Sequence, residues 1–204
     1  MAPHLLLHFA KDSNSVRGTT MATKKKLVKK STDKKVLKRG DIIQLILNDH
    51  KPLKKLIKVM KNQDKDIEIR RSAFEDFMPL LIVHAKSEEL VLYTYMKSDK
   101  DLRTEAFEGD VEHGLADQML EEARRTDDDD LWSARVKVLA ELVEHHIEEE
   151  EESLLPDFKK SSDSDTRVAL GEKYISKKGE VKMDENKIHQ VDRRERTEHQ
   201  GVRH

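Results

Sequence analysis

Two ten-residue stretches hold the side chains best suited to chemistry. His84-Ala85-Lys86-Ser87-Glu88-Glu89-Leu90-Val91-Leu92-Tyr93 is echoed 62 positions later by His146-Ile147-Glu148-Glu149-Glu150-Glu151-Glu152-Ser153-Leu154-Leu155. In each, an imidazole is followed four residues on by a carboxylate, then by a second carboxylate, then by an apolar pair eight and nine residues after the His. Four residues of helix is about one turn, roughly 6 Å of rise, so His and Glu project from one face, one above the other. A lone His precedes each copy, His50 by 34 residues and His113 by 33. The chain thus reads as two helix pairs, each bringing one His and one His-xxx-Glu. Two equivalent half-sites facing each other are what a two-metal centre requires.

Energetics separates this reading from a plain polar core. Four histidines and two glutamates on the inner faces of four helices would converge where an unpaired buried carboxylate costs several kcal/mol. Carboxylate–imidazole hydrogen bonds could compensate any one of them, and a lone His on an apolar stripe is usually a satisfied core residue. The repetition argues otherwise: His50, His84 with Glu88, His113, and His146 with Glu150 occupy corresponding places in both halves. Imidazole and carboxylate without sulfur suit iron, zinc or manganese, and ligand type alone does not separate these. The run Glu148 to Glu152 is mostly a solvated face, and His145, about 100° from His146, belongs to a flank.

The elements that must position these residues are helices. Charged residues make up 39% of the 204 and aromatics 4%, a balance that favours helices with solvated outer faces. There is no cysteine, which removes disulfides, thiolate metal sites and cysteine nucleophiles. Leu5-Leu6-Leu7-His8-Phe9-Ala10 is far too short to span a bilayer. Cytoplasmic location and no membrane partner are the expectation.

Residues 1–20 show no periodicity, and Met21 followed by Ala-Thr-Lys-Lys-Lys reads as the more natural start, so we set them apart as upstream translated sequence. Residues 21–39 carry nine Lys or Arg against one acid, Asp33, and read as a disordered, solvated leader. Without aromatic or Gly-rich recognition elements beside it, nucleic acid is not the expected partner. Gly40-Asp41 supplies a break and an N-cap. The first helix follows, with Ile43, Ile46, Leu47, His50, Leu53, Ile57 and Met60 on its apolar stripe. A second runs from beyond Asn62-Gln63-Asp64 to about Met96, its inner face marked by Phe74, Phe77, Leu81, His84, Glu88, Val91 and Tyr95, with a kink expected at Pro79. The third extends to about Arg125 with Ala106, His113, Ala116, Asp117, Leu120 and Ala123 inward; Gly109 and Gly114 stand where a neighbour could approach closely. Asp127 to Asp130 form a turn that favours the next helix N-terminus. The fourth helix turns Trp132, Val136, Leu139, Val143, His146 and Glu150 inward and stops at Pro156. A short fifth, from Ser164 or Asp165 to Lys177, covers the bundle with Val168, Leu170, Tyr174 and Ile175. Residues 179–204 read as a disordered charged tail in which His189, His199 and His204 are solvated.

His, His-xxx-Glu, His, His-xxx-Glu on consecutive helices resembles the hemerythrin-like, HHE cation-binding domain family, as do Glu88-Glu89-Leu90-Val91-Leu92-Tyr93 and His145-His146-Ile147 with Leu155-Pro156. The resemblance covers about residues 40–178. It implies an all-α, up-down-up-down four-helix bundle holding a non-haem di-iron centre. In that centre Glu88 and Glu150 would bridge, and His50, His84, His113 and His146 would cap the metals. The oxygen-carrying members have a second His one turn after the third-helix His; here Asp117 stands there, either as an oxygen ligand or leaving the place to water or substrate. Glu151 is an alternative to Glu150, which matches the first half better. The ferritin-like alternative needs Glu-xx-His, and the nearest approach is Asp110-xx-His113. The function implied is binding of dioxygen or a related diatomic or peroxide ligand, in sensing, storage or peroxide and nitric-oxide handling. The alternative is an interaction module whose metal only holds the bundle together. No general acid or base, nucleophile triad or phosphate loop supports an organic-substrate enzyme.

Overall fold

The computed structural model describes the backbone of residues 40–201 and the side chains of residues 40–184. The leader and the imidazoles of His189, His199 and His204 lie outside the described residues. Helix α1 is Ile42–Lys61, α2 Ile67–Glu88, α3 Arg103–Arg124, α4 Asp129–Glu149 and α5 Ser164–Gly201. Two of them are prolonged by a π-helical turn and a further α segment: α2 through Glu89–Tyr93 and Thr94–Met96, α4 through Glu150–Leu154 and Leu155–Ser161. Among the described residues there is no strand.

The starts of α1 and α4 are set by residues the sequence nominates. Gly40, at φ 84°, takes a backbone conformation that glycine adopts without strain. Asp41 then caps α1, its carboxylate accepting from Ile43 N at 3.0 Å. Asp128 does the same for α4 through Leu131 N at 2.8 Å. Pro52 and Pro79 sit inside α1 and α2 without ending them. Pro156 does not stop the fourth helix, contrary to expectation. It occupies the first turn of Leu155–Ser161, after a π turn in which Leu155 N–H reaches back to Glu150 O, and the first turn of a helical segment is where a proline is best tolerated. The fifth helix begins at Ser164 as expected but its backbone continues past Lys177 and Gly179 to Gly201, through a run of Glu, Lys, Arg and Gln that are good helix formers.

Two apolar clusters form the interior, and each of α1 to α4, with its prolongation, contributes to both. One gathers Leu53, Ile57, Phe74, Phe77, Leu81, Leu120, Trp132, Val136 and Leu139 with their neighbours; the other gathers Ile42, Ile46, Leu92, Tyr93, Met96, Leu102, Ala106, Leu155, Phe158 and Tyr174. Between them on every helix stand the polar residues: His50, His84 with Glu88, His113, and His146 with Glu150. The order in which the chain meets the two clusters reverses from each helix to the next.

The buried stripes match expectation over most of α1 to α4, with Leu47 and Asp117 only half-buried, and depart from it after the π turn that prolongs α2. A π turn spends about one extra residue per turn, rotating the following segment relative to an ideal α pattern. Leu92, Tyr93 and Met96 are therefore buried, whereas Tyr95 is only half-buried. On α5 the buried face is Arg167, Leu170, Gly171 and Tyr174, and Ile175 is exposed. A Cβ at Gly171 would lie 1.8 Å from Gly40 O, so α5 touches the start of α1 backbone to backbone. Arg167 fixes the same corner: its Nε donates to Asp41 at 2.8 Å and one terminal nitrogen to Ser162 O at 2.7 Å, all buried.

Candidate metal centre

Six buried side chains converge between the two clusters: His50, His84, Glu88, His113, His146 and Glu150, none more than 5% exposed. Their inward atoms form two triads, His50 with His84 and Glu150, and Glu88 with His113 and His146; within each, the donor atoms lie inside 4.8 Å of one another. The one-turn spacing works as the geometry of a helix requires. His84 Nε2 is 3.4 Å from Glu88 Oε2, and His146 Nε2 is 3.7 Å from Glu150 Oε2. Each carboxylate touches the His of its own helix yet is grouped with histidines of the other half.

Every imidazole is held from behind. His50 Nδ1 meets Glu151 at 3.0 Å, His113 Nδ1 meets Glu89 at 3.2 Å, His146 Nδ1 meets Glu112 at 2.6 Å, and His84 Nδ1 meets the Tyr174 hydroxyl at 3.2 Å. A carboxylate can only accept, so in three of the four Nδ1 carries the hydrogen and Nε2 faces inward. Such outward bonds fix the tautomer and orientation of an imidazole that offers its other nitrogen to a cation. Glu89 and Glu151, the second carboxylates of the two repeats, thus serve the lone histidines, His113 and His50. Lys54 and Lys86 in turn steady them, at 2.6 and 3.3 Å.

Inside, the hydrogen-bonding capacity is left over. Among the described residues, His50 Nε2, His84 Nε2, both oxygens of Glu88 and Glu150 Oε2 are buried without a hydrogen-bond partner. His50 Nε2 does lie 3.2 Å from Glu150 Oε2, but without hydrogen-bond direction. His113 Nε2 and His146 Nε2 face each other at 3.0 Å. Burial costs such atoms 1–3 kcal/mol each as a rule, more when charged. Five of them pointing at one another is the demand a cation satisfies, and the oxygen and imidazole donors fit divalent metals.

The protonation tendencies describe the same crowding. Burial, then the neighbouring Glu150 and Asp49 charges, hold the Glu88 carboxyl well above the usual carboxylate range. Glu150 resists that burial: His146, His50 and His84 around it outweigh the desolvation and keep it well below. Burial and the nearby His50 push His84 well down, whereas at His146 Glu150 and Glu112 overcome burial and raise it. Tyr93 donates to Glu150 Oε1 at 2.8 Å and stacks on His113 with ring centroids 5.4 Å apart. Burial first, then Glu150, raises the Tyr93 hydroxyl well above its usual range, so it remains a donor.

Asp117 does not join this group. It lies about one-third exposed and pairs with Lys86 at 2.7 Å, and His145 is also outside, exposed and beside Glu149. Sequence reasoning missed Glu112, Asp49, the contact of Tyr93 with Glu150 and the inward role of Tyr174. Glu112 offered no signal beyond adjacency to His113. Access is narrow. A cleft of about 130 Å³ between α3 and the α4 continuation, lined by Glu105, Glu108, Glu112, Glu149 and Ser153, reaches His146 and Glu150. A smaller void of about 10 Å³, walled by Leu81, Ala85, Ala116 and Val143, lies beside His113 and His146.

Residues 41–158 match the protein-family model described as hemerythrin HHE cation binding domain. No curated protein and no solved structure matched the chain. The matched span is more than half of the sequence and contains all six converging residues. The chain belongs to the hemerythrin HHE cation-binding domain family.

Proposed function

We propose that this is a cytoplasmic non-haem di-iron protein that binds dioxygen or a related diatomic or peroxide ligand. The observation that carries the reading is the set of five buried, partnerless donor atoms, two on histidines anchored at their far side and three on Glu88 and Glu150. We take the four-helix arrangement, whose chain direction alternates through the two clusters, as an up-down-up-down bundle built to hold them.

In this reading His50, His84 and Glu150 hold one metal, and Glu88, His113 and His146 the other. Glu88 and Glu150 would supply the carboxylate charge for the pair, and each already touches a His of its own helix while grouped with those of the other half. Asp117, held by Lys86, stays out of the ligand set. Bound there, a pair of irons supplies a redox-active position for a small ligand. The chain's own residues do the rest. Glu89, Glu112, Glu151 and Tyr174 orient the imidazoles. Tyr93 holds a proton against Glu150 beside the His113 ring. Leu81, Ala85, Ala116 and Val143 keep bulk water from the void next to His113 and His146. Its volume of about 10 Å³ is close to the roughly 10–15 Å³ one water needs, which suits a small ligand.

Optical spectroscopy of the iron-loaded chain tests this. Charge-transfer bands that shift on adding oxygen or azide are expected. An iron-loaded chain whose spectrum ignores both would leave the metal with a purely structural role.

A further inference from the structure

Helix α5 lies beyond the residues matched to the family, yet it reaches the centre. Tyr174 is fully buried, with its hydroxyl 3.2 Å from His84 Nδ1 and 2.8 Å from Asp49 Oδ2. Asp49 is gripped in turn by Lys178, whose Nζ lies 2.6 Å from both carboxylate oxygens. The directions follow from what each group can do. A carboxylate only accepts, so the phenol donates to Asp49, and its oxygen is left to accept from His84 Nδ1–H. His84 Nε2 is then free of hydrogen and faces His50 and Glu150.

We propose that Tyr174 is a positioning residue for the metal centre, its hydroxyl fixing the tautomer and orientation of His84. The inference rests on the metal-binding reading above. The hydroxyl is placed by contacts on both sides of it along α5. Toward the helix start, Gly171 meets Gly40 backbone to backbone and Arg167 is locked to Asp41. Toward its end, Lys178 holds the carboxylate that receives the phenol. Arg167, Leu170, Gly171 and Tyr174 share one face at helical spacing, so the register that satisfies the Arg167 ion pair also delivers the tyrosine. The other three histidines are backed directly by Glu151, Glu89 and Glu112. His84 alone is backed by a neutral hydroxyl with a carboxylate behind it, which makes the two triads chemically unequal.

The test uses the full chain, stripped of metal and titrated anaerobically with iron(II), as wild type, Tyr174→Phe and Asp49→Asn. Loss of an outward partner of a metal-binding His typically costs about 10–100-fold in metal affinity. Tyr174→Phe keeps the ring and its packing, so its metal-free thermal midpoint should stay near wild type while iron affinity falls by about that factor and the iron(III) spectrum shifts. Asp49→Asn should move affinity the same way, less far, and carries the test alone if the phenylalanine variant fails to fold. Wild-type affinity and spectrum in a folded Tyr174→Phe, or in Asp49→Asn where it stands alone, overturn the inference while leaving the metal reading intact. A wild-type chain that takes up no iron overturns both.

Discussion

Gly109 and Gly114 lie five residues apart on α3 and should respond to alanine in opposite directions. A Cβ at position 114 meets nothing within 4 Å, whereas one at 109 would lie 2.6–2.7 Å from Cζ, the hydroxyl and Cε2 of Tyr93. At Gly114 only the helix backbone responds, and alanine stabilises a helix interior by about 0.8–1 kcal/mol over glycine. At Gly109 the same gain is opposed. Ordinary contact begins near 3.4 Å, so the Tyr93 ring must retreat by most of an ångström. It has nowhere free to go: it is fully buried, stacked on His113 and bonded to Glu150. Overpacking of this kind costs about 1–3 kcal/mol, and weakening a hydrogen bond to a buried carboxylate about 1–3 more. The net expectation is a loss of about 1–5 kcal/mol for Gly109→Ala against a gain of up to about 1 kcal/mol for Gly114→Ala. For a chain of this size each kcal/mol moves the thermal midpoint by about 2–4 °C. Circular dichroism melts of the metal-free variants would show the split. If both alanines stabilise alike, the close approach of Tyr93 to α3 is not real, and the placement of the Glu150 carboxylate it supports fails with it.

Three further outcomes follow from particular contacts. Glu88→Gln replaces a carboxyl whose two oxygens have no partner and whose ionisation burial already opposes, so the metal-free chain should melt no lower than wild type while metal uptake drops; a metal-free variant less stable than wild type by more than about 1 kcal/mol would contradict this. Arg167→Met leaves Asp41 buried without its partner, and urea unfolding should register a loss near the roughly 3–5 kcal/mol typical of a broken buried pair; a loss under 1 kcal/mol would mean the α1–α5 corner is open to water. Iron at about a hundred times its dissociation constant should raise stability by about 2.7 kcal/mol if only the folded chain binds it, and an unchanged midpoint would argue against a centre formed by folding.

The convergence of the six side chains was legible because its signal is local. His-xxx-Glu needs only one turn of helix to place both groups on one face, and repetition in each half supplied the partner surface. Tyr93 was not legible, because the π turn after Glu88 breaks the α period that any sequence stripe assumes; Tyr95, three and four residues on from Leu92 and Val91, fitted the ideal pattern and is the less buried of the two. Pro156 misled for a related reason: it stands in the first turn of a new α segment that follows the second π turn, where a proline is tolerated. Asp117 has the spacing of a ligand from His113, but Lys86 on the neighbouring helix holds it at the surface, a cross-helix contact that no single-helix pattern contains. Tyr174 and Asp49 are 125 residues apart and meet only through the docking of α5. The fifth helix read as a cover, and its role at His84 became visible once Arg167, Gly171 and Tyr174 proved to share a face.

Metal analysis of the purified, iron-loaded chain bears most directly on the account. Two irons per chain, falling sharply in both His84→Ala and Glu150→Ala variants that remain folded, is the result it predicts. A folded wild-type chain that retains no metal, or variants that retain as much as the parent, would contradict it.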